Sequence, residues 1–290
     1  MDIGAHVSVG KGLSQAVEYA ASVGCESMQI FAKSPRQWHG PPLDSASAVR
    51  FADERVAAGI RRTFTHSAYL INLASADDRI WGLSVQALAD EISRARALRA
   101  DGVVTHLGAH PDGESPAATG RIADAITRAF TLAHGPADPR TRLLLENTAG
   151  AGSLYGASIA AIGAVIDACP GHRESLGVCF DTCHGHASGI EVTCDAAWDR
   201  LLSDIERECG PGALGLIHAN DCLHPFASRR DRHAWVGDGT IGIEGFAAMT
   251  RQPSLQGLAV ITEAPGEVPV KDAENIRRLV SLRDADHAVV

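Results

Sequence analysis

The chain has 290 residues, of which 45% are hydrophobic and 21% are charged, and its formal net charge is −9. This length allows one large α/β domain or two average ones, and the composition is ordinary for a globular protein. Taken alone, the acidic balance argues against a nucleic-acid partner, which usually requires a basic face.

The seven cysteines include no Cys-x-x-Cys pair, and several lie inside apolar runs such as residues 177–180. This pattern indicates reduced, mostly buried thiols, and we therefore expect a cytoplasmic protein. The N-terminus shows no secretory signal. No apolar run approaches the roughly 18 residues of a membrane-spanning helix, so we expect no membrane partner.

Short apolar strands alternate with longer amphipathic stretches along the whole chain. In chain order, the predicted elements are strand 2–6, helix 13–23, strand 27–31, helix 45–58, strand 63–66, helix 84–99, strand 102–106, helix 115–133, strand 142–146, helix 158–168, strand 176–181, helix 195–209, strand 214–218, helix 243–250, strand 259–263 and helix 272–282.

Eight strand–helix units of this kind predict a (β/α)8 TIM barrel, with residues 1–290 as a single domain. Only the region 136–139 is locally rich in proline, and it falls between a helix and a strand. The alternative is an open, doubly wound sheet. Its usual Gly-x-Gly-x-x-Gly turn after the first strand is missing.

Six successive predicted strands, the third to the eighth, end in a residue type that binds metal ions. A single histidine at a strand end is more often structural, but packing does not explain six in succession. In a barrel all these ends meet at one face, where the clustered groups would repel or stay unpaired without cations. The six residues are His66, His106, Glu146, Asp181, His218 and Glu263.

A second group of candidate ligands follows the sixth and seventh strands. His184 comes three residues after Asp181, and Asp231 and His233 lie two residues apart in the next loop. Imidazoles together with carboxylates suit Zn²⁺, with Mn²⁺ or Fe²⁺ as alternatives. Nine candidate ligands exceed what two ions need, and they fit three ions that share one or two carboxylates.

Several motifs in this order resemble the endonuclease IV family of apurinic/apyrimidinic endonucleases, and the resemblance spans nearly the whole chain. The motifs are Gly-Ala-His-Val-Ser at 4–8, Tyr-Leu-Ile-Asn-Leu at 69–73, Leu-Glu-Asn-Thr-Ala-Gly at 145–150, Asp-Thr-Cys-His at 181–184, Asn-Asp at 220–221 and the run 228–233. The resemblance implies a (β/α)8 barrel with three zinc ions.

The resemblance also assigns the ligands to three ions. It implies His66, His106 and Glu146 for the first ion, and Glu146, Asp181, His218 and Glu263 for the second, with Glu146 bridging. It implies His184, Asp231 and His233 for the third ion.

The implied reaction is cleavage of the DNA backbone 5′ to an abasic site, leaving a 3′-hydroxyl and a 5′-deoxyribose phosphate. Removal of blocking groups from 3′ ends is implied as well. Zinc lowers the pKa of a water that it binds to about 7. We expect Glu146 to align this nucleophile and Glu263 to help orient it. We also expect a monomer, because no exposed apolar stripe requires a partner.

The partner that the resemblance implies is double-stranded DNA with abasic sites or blocked 3′ ends. Arg36, Tyr69 and Leu70 follow the second and third strands and match residues that penetrate DNA in the family. Arg229 and Arg232 are candidate phosphate contacts, although either could instead pair with Asp221 or Asp238. Three divalent cations would offset most of the negative charge, and local potential matters more than net charge.

Some positions depart from the family pattern. Leu107 replaces the usual proline after His106. Thr262 and Ala264 flank Glu263, where the family usually has leucine before and threonine after the glutamate. Residues 185–186, Gly-His, replace a more apolar pair. These departures leave loop geometry, substrate preference and metal affinity open.

Two further histidines could be mistaken for ligands. We interpret His110 as a loop residue or as a residue that contacts the metal ligands without binding a metal itself. We expect His186 to lie outside the site.

Two rival functions stay open at this point. A sugar isomerase or epimerase on the same barrel also gathers such ligands, but it needs neither the third ligand group nor Arg36 and Tyr69. A non-catalytic metal-binding or DNA-binding scaffold is the other rival, and the full ligand set argues against it.

Overall fold

A computed structural model describes residues 1–134, 141–263 and 268–287 of the chain. Eight parallel strands form a closed barrel, and two short strands form a separate antiparallel pair. The strands are β1 (Asp2–His6), β2 (Ser27–Phe31), β3 (Arg62–His66), β4 (Gly102–Thr105), β5 (Arg142–Glu146), β6 (Leu176–Asp181), β7 (Leu214–His218), β8 (Asp221–Cys222), β9 (His233–Ala234) and β10 (Ala259–Thr262).

Helices connect successive barrel strands and surround the barrel. They are α1 (Leu13–Ser22), α2 (Ser45–Ala57), α3 (Asp78–Ala97), α4 (Pro116–Leu132), α5 (Ile159–Asp167), α6 (Thr182–Ser188), α7 (Asp195–Cys209), α8 (Gly242–Thr250) and α9 (Pro269–His287). Two 3₁₀ turns, Pro170–Ser175 and Pro253–Leu255, precede β6 and β10.

The barrel strands follow one another in chain order, and β10 closes the circle by pairing with β1. Asp2 lies opposite Ala259 in this parallel pair, and Ala5 lies opposite Thr262. The predicted (β/α)8 barrel is therefore confirmed, and the open doubly wound sheet is wrong.

Two apolar cores result from the alternation of side chains along the strands. On β5, Leu143 and Leu145 point outward and pack under the helices, whereas Leu144 points into the barrel. The inner core consists of Phe64, Val104, Leu144, Cys179, Leu216, Ala259 and Ile261. It fills the barrel below the strand ends, so the polar side chains gather above it.

Helix α3 begins at Asp78, well before the predicted start at residue 84. Asp77 caps its N-terminus, since its carboxylate accepts hydrogen bonds from the backbone N–H groups of Arg79 and Ile80. The last helix also begins earlier than predicted, at Pro269. Both errors concern first turns, whose start is set by a cap or a proline and not by hydrophobic periodicity.

Helix α6 and the β8–β9 pair were not predicted, and both lie at the C-terminal end of the barrel. Asp181 caps α6 by accepting a hydrogen bond from the backbone N–H of His184 at 2.7 Å. The helix ends at Gly189, whose φ of 102° favours glycine. These short elements place His184 and His233 beside the strand ends.

No helix within the described ranges is both long enough and apolar enough to span a membrane. The proline-rich region 136–139 and the family departure at Ala264 lie outside the described residues.

Candidate metal centre

The structure brings all nine candidate ligands together at the C-terminal ends of the barrel strands. They form three groups in which the possible ligand atoms lie within 4.8 Å of one another. The groups are His66, His106 and Glu146; Glu146, Asp181, His218 and Glu263; and His184, Asp231 and His233.

Glu146 lies at the centre of the cluster and its side chain is only 1% exposed. Its Oε2 atom lies 3.1 Å from His66 Nε2 and 3.4 Å from His106 Nε2. Its Oε1 atom lies 2.9 Å from His218 Nδ1 and 3.5 Å from His184 Nδ1. The two oxygens thus face different groups of imidazoles, as expected of a carboxylate shared between two cations.

The second group surrounds His218. Its Nδ1 atom lies 3.2 Å from Glu263 Oε2 and 3.9 Å from Asp181 Oδ2. Asn220 holds both acids: its Nδ2 donates to Asp181 Oδ2 at 2.6 Å and to Glu263 Oε2 at 3.4 Å. Its Oδ1 accepts a hydrogen bond from the backbone N–H of Glu263. Asn220 therefore fixes the spacing of two candidate ligands.

The third group is more open to solvent. Asp231 is 53% exposed and lies between two imidazoles, with His184 Nε2 at 3.2 Å and His233 Nε2 at 3.3 Å. His233 Nε2 also lies 3.6 Å from Asp181 Oδ2, so the second and third groups are adjacent.

Four of the imidazoles have one ring nitrogen hydrogen-bonded to an amide or carbonyl oxygen. Each such nitrogen acts as the N–H donor, so the other nitrogen, which faces the carboxylates, is the one that could bind a cation. This is how proteins orient histidine ligands of metals. The pairs are His66 Nδ1 with Ser67 O, His184 Nδ1 with Asn147 O, His233 Nδ1 with Glu263 O and His218 Nε2 with Gln29 Oε1.

The cluster fits divalent cations better than it fits an ion-free polar core. Within the described residues, His233 Nε2 is buried without a hydrogen-bond partner although it faces two carboxylates. A buried polar atom without a partner is rare in proteins unless an ion or water satisfies it. Two thiols, Cys179 and Cys183, also lie near the groups, but burial raises the pKa of Cys179 to about 12. The nine candidate ligands themselves offer only nitrogen and oxygen donors.

The charges of the cluster depend strongly on one another. Burial alone would raise the pKa of Glu146, but His106 and His218 outweigh it and hold that pKa well below its usual range. Burial lowers the pKa of His184, but Asp181 and Asp231 outweigh it and raise that pKa to about 10. Protons on the imidazoles thus balance the acids, and divalent cations could replace those protons.

A cavity of about 820 Å³ is lined by residues of all three groups, namely His66, His106, His184, Asp231, His233 and Glu263. Its wall includes Tyr69, which is 64% exposed and whose ring centre lies 5.3 Å from that of Phe31. Arg36 and Leu70 are also exposed on the loops after β2 and β3. The residues predicted to penetrate DNA thus lie beside the candidate metal centre.

A larger groove of about 1220 Å³ lies elsewhere, around Arg62, Phe64 and Arg142. Arg62 and Arg142 are the first residues of their strands. This groove therefore lies away from the clustered ligands.

Arg229 and Arg232 are exposed on the loop between β8 and β9. The suggested pairing of these arginines with Asp221 or Asp238 is wrong. Asp221 accepts hydrogen bonds from backbone N–H groups, including that of Gly237, and Asp238 pairs with Arg278. Arg232 Nη1 donates a hydrogen bond to the carbonyl oxygen of its neighbour Asp231 at 2.7 Å, and neither arginine pairs with a carboxylate among the described residues.

The two histidines that could be mistaken for ligands lie outside the three groups. His110 accepts a hydrogen bond from the backbone N–H of Asp112 in the loop after β4. His186 packs against Phe226 and contacts the Thr240 hydroxyl through Nε2. Among the family departures, Leu107 is buried in the outer apolar core.

Sequence reasoning missed residues that hold the candidate ligands from behind. Gln29, on β2, contacts both His218 and Glu263, and His6 Nδ1 lies 3.1 Å from Glu263 Oε1. The side chain of Asn147 exchanges two hydrogen bonds with the backbone of Asp181. His6, Asn147 and Asn220 lie within the family motifs, which is the only signal that singles them out in the sequence.

The barrel and its histidine–carboxylate cluster define a TIM-barrel protein of the xylose isomerase-like class, and the model of the family described as "Xylose isomerase-like TIM barrel" matches residues 17–282. Within this class, the chain belongs to the endonuclease IV family. A protein named "Probable endonuclease 4" from Chloroflexus aurantiacus is 38% identical over 280 residues, which cover 96% of this chain and 97% of that one. A protein of the same name from Methanosphaerula palustris is also 38% identical, with 97% of each chain covered.

A crystal structure of endonuclease IV from Thermus thermophilus superimposes with a TM-score of 0.86 and 33% identity, covering 98% of this chain and all of that one. A D-tagatose 3-epimerase-like protein superimposes with a TM-score of 0.70, covering 99% of this chain and all of that one. Its identity of 18% shows a shared fold alone.

Proposed function

We propose that this protein is a zinc-dependent DNA repair endonuclease that hydrolyses the phosphodiester 5′ to an abasic site. The products would be a 3′-hydroxyl and a 5′-deoxyribose phosphate, and the same site would remove blocking groups from 3′ ends. The observation that carries this proposal is the three-part ligand cluster centred on Glu146. The endonuclease IV relatives support the choice of DNA as substrate.

Three zinc ions would be held by the three ligand groups, with Glu146 shared between the first and the second. Bound zinc supplies a nucleophile at neutral pH and offsets the charge of the phosphoryl oxygens. The nitrogen and oxygen donors of the cluster suit this ion.

The protein's own contribution is to orient the attacking water and to place the phosphate. Glu146 is buried among four imidazoles, so its carboxylate is held in one orientation and can align a water molecule. Glu263 is 17% exposed and anchored by His6, which suits it to orient the same water from the cavity side. Asp231 faces the more open side of the cavity, where the DNA strand would lie.

Recognition of the abasic site would use the exposed residues around the cavity. Arg36, Tyr69 and Leu70 would enter the duplex and fill the gap left by the missing base. Arg229 and Arg232, which pair with neither nearby acid, would contact phosphates. The proposal includes a monomer in the cytoplasm, and the burial of six of the seven free cysteines supports a reducing compartment.

Replacing Glu146 with Gln tests the proposal. We expect cleavage of an abasic duplex to fall by about 10²- to 10⁴-fold, because the amide cannot align or deprotonate the water as the carboxylate does. Metal content must be measured on the same sample, so that loss of metal is separated from loss of chemistry. Near-normal turnover by Glu146→Gln at full metal occupancy would contradict the assigned role.

Incubation of the wild-type protein with an abasic duplex, with and without chelator, separates the proposed function from its rivals. Chelator-sensitive cleavage 5′ to the abasic site supports the endonuclease. Epimerisation of a ketose with no DNA cleavage would support the sugar epimerase, and the absence of both activities would support an inert scaffold.

A further inference from the structure

Two loops carry the residues that we propose to enter the DNA. The first wedge loop, residues 32–41, follows β2 and carries Arg36, and the second wedge loop, residues 67–73, follows β3 and carries Tyr69 and Leu70. The loops touch directly, because the backbone N–H of Tyr69 donates to the carbonyl oxygen of Pro35 at 3.0 Å. Residues that hold both loops against the rest of the barrel therefore fix the relative position of the two loops.

Lys33, at the start of the first wedge loop, is fully buried, with a side chain that is 0% exposed. Its Nζ atom lies 2.8 Å from Asp90 Oδ2 and 3.3 Å from Glu91 Oε1, both on helix α3. A buried ammonium requires such partners. Electrostatic attraction thus holds the start of the first wedge loop to helix α3.

Arg94, one turn further along α3, holds both ends of the first wedge loop. Its guanidinium donates to the carbonyl oxygens of Ala32 at 3.4 Å and of Pro41 at 2.6 Å, and its Nε donates to Asp90. Gly40 lies so close that a Cβ atom there would be 2.9 Å from Cβ of Lys33. The loop is therefore closed tightly over the two cations.

Glu91 connects the same network to the second wedge loop. Its Oε1 atom, which contacts Lys33, also accepts a hydrogen bond from the backbone N–H of Ala68 at 3.3 Å. Ala68 directly precedes Tyr69. The Glu91 side chain is 1% exposed. Its Oε1 atom thus contacts Lys33 of the first wedge loop and Ala68 of the second.

This network is an inefficient way to stabilise a fold. It balances two cations with two acids, yet Glu91 Oε2 is buried without a hydrogen-bond partner among the described residues. Apolar side chains of similar volume often stabilise a core as well as or better than buried ion pairs. Buried polar networks do, however, fix one geometry more narrowly than apolar contacts do.

We propose that Lys33, Asp90, Glu91 and Arg94 are positioning residues that hold both wedge loops as one rigid unit and so set the preference for abasic over intact DNA. This inference rests on the proposed function. None of the four belongs to the candidate metal centre.

The test compares the affinities for an abasic duplex and for an intact duplex of the same sequence, measured by fluorescence anisotropy with metal-loaded protein. Both duplexes carry a non-hydrolysable linkage at the scissile position, so that the proposed cleavage does not occur during the measurement. Lys33→Met removes the buried cation, and Lys33→Met/Glu91→Gln restores the charge balance while the attachment stays broken. We expect the ratio of the two affinities to fall about 10- to 100-fold in both variants, since small misplacements of binding groups have effects of this size.

Thermal unfolding of the same variants separates positioning from general stability. We expect the double variant to unfold at a higher temperature than Lys33→Met, because one uncompensated buried charge is gone, while the affinity ratio stays low. If Lys33→Met does not fold, the near-isosteric Glu91→Gln alone is expected to lower the ratio. The matched control is Asp78→Asn, also on α3, which breaks an exposed ion pair with Arg121 of α4 and should keep the wild-type ratio.

A wild-type ratio in the folded variants, or a ratio that recovers together with the unfolding temperature, would overturn the inference. A wild-type protein that shows no preference for the abasic duplex would instead overturn the proposed function.

Discussion

Gln29 is a neutral side chain among charged ones at the mouth of the barrel. Its Oε1 atom lies 3.0 Å from His218 Nε2, and its Nε2 atom lies 2.7 Å from Glu263 Oε1 and 3.0 Å from His6 Nδ1. An amide oxygen can only accept, so His218 Nε2 carries the N–H that donates to Gln29 Oε1. This bond fixes the amide and directs its N–H groups towards Glu263.

Replacing Gln29 with Leu should therefore weaken metal binding without removing a ligand. We expect the affinity of the second site for zinc to fall about 10- to 100-fold, as is typical when a residue that orients a histidine ligand is lost. Competition with a chelating dye measures this affinity directly. Gln86→Leu, at an exposed position on α3, is the control and should bind zinc as the wild type does. Equal affinities in the two variants would contradict the assigned role.

At this scale the sequence was informative where residue type and strand position coincide. His66, Glu146 and Asp181 could be singled out because histidine and acids at parallel strand ends converge at one face. Gln29 could not, since its position in the middle of a strand gives no sign of the partners that face it across the barrel. Tertiary proximity of this kind is not encoded in local periodicity.

Residues 74–77 separate the second wedge loop from the first turn of helix α3. Asp77 accepts two backbone hydrogen bonds there, at 2.8 Å from Arg79 N and 3.0 Å from Ile80 N. These satisfy N–H groups that no helical partner can reach. The cap thus fixes where the loop ends and the helix begins.

Asp77→Ala should lower the free energy of unfolding by about 1 kcal/mol, the usual effect of losing an N-cap. Urea unfolding followed by circular dichroism measures the change. Asp53→Ala, which removes an exposed acid from the middle of α2, should change stability by less than about 0.5 kcal/mol. Equal losses in both variants would mean that net charge, and not the cap, is responsible.

The long elements could be predicted from the sequence, and the short ones could not. The barrel strands and helices such as α7 show several periods of apolar residues. Helix α6 has seven residues and β8 and β9 have two each, which is too short for a hydrophobic period to be visible. The cap from Asp181 and the pairing of residues 221–222 with 233–234 determine these elements.

The whole molecule combines a net charge of −9 with a dense group of acids and imidazoles at one end of the barrel. Without cations, these groups depend on shared protons for balance. Divalent cations should bind the folded chain far more tightly than the unfolded one, because only the folded barrel brings these acids and imidazoles together.

Removing the metal with a chelator should therefore lower the unfolding temperature, and adding zinc back should restore it. Free zinc at about 100 times the Kd of one site stabilises the folded state by about 2.7 kcal/mol. Differential scanning calorimetry at several zinc concentrations measures the effect. An unfolding temperature that is independent of zinc would show that the cluster does not hold the ion.

Binding of DNA to an acidic protein must depend on local positive charge. Arg229→Ala and Arg232→Ala should each weaken binding to any duplex and reduce the slope of log affinity against log salt by about 1. Titrations between low and moderate salt measure the slope. Arg173→Ala removes an arginine paired with Asp167 and should leave the slope unchanged. A wild-type slope in the Arg229 and Arg232 variants would exclude phosphate contacts by these arginines.

The seam between β1 and β10 also affects how the protein is made on the ribosome. One edge of β1 stays unpaired until residues 259–262 of β10 have been synthesised. Glu263 arrives with that same last strand, next to Thr262, which lies opposite Ala5. Closure of the barrel and completion of the ligand cluster are therefore a single late event. A nascent or prematurely terminated chain that ends before this strand lacks both the closed barrel and Glu263, so we expect it to cleave no DNA.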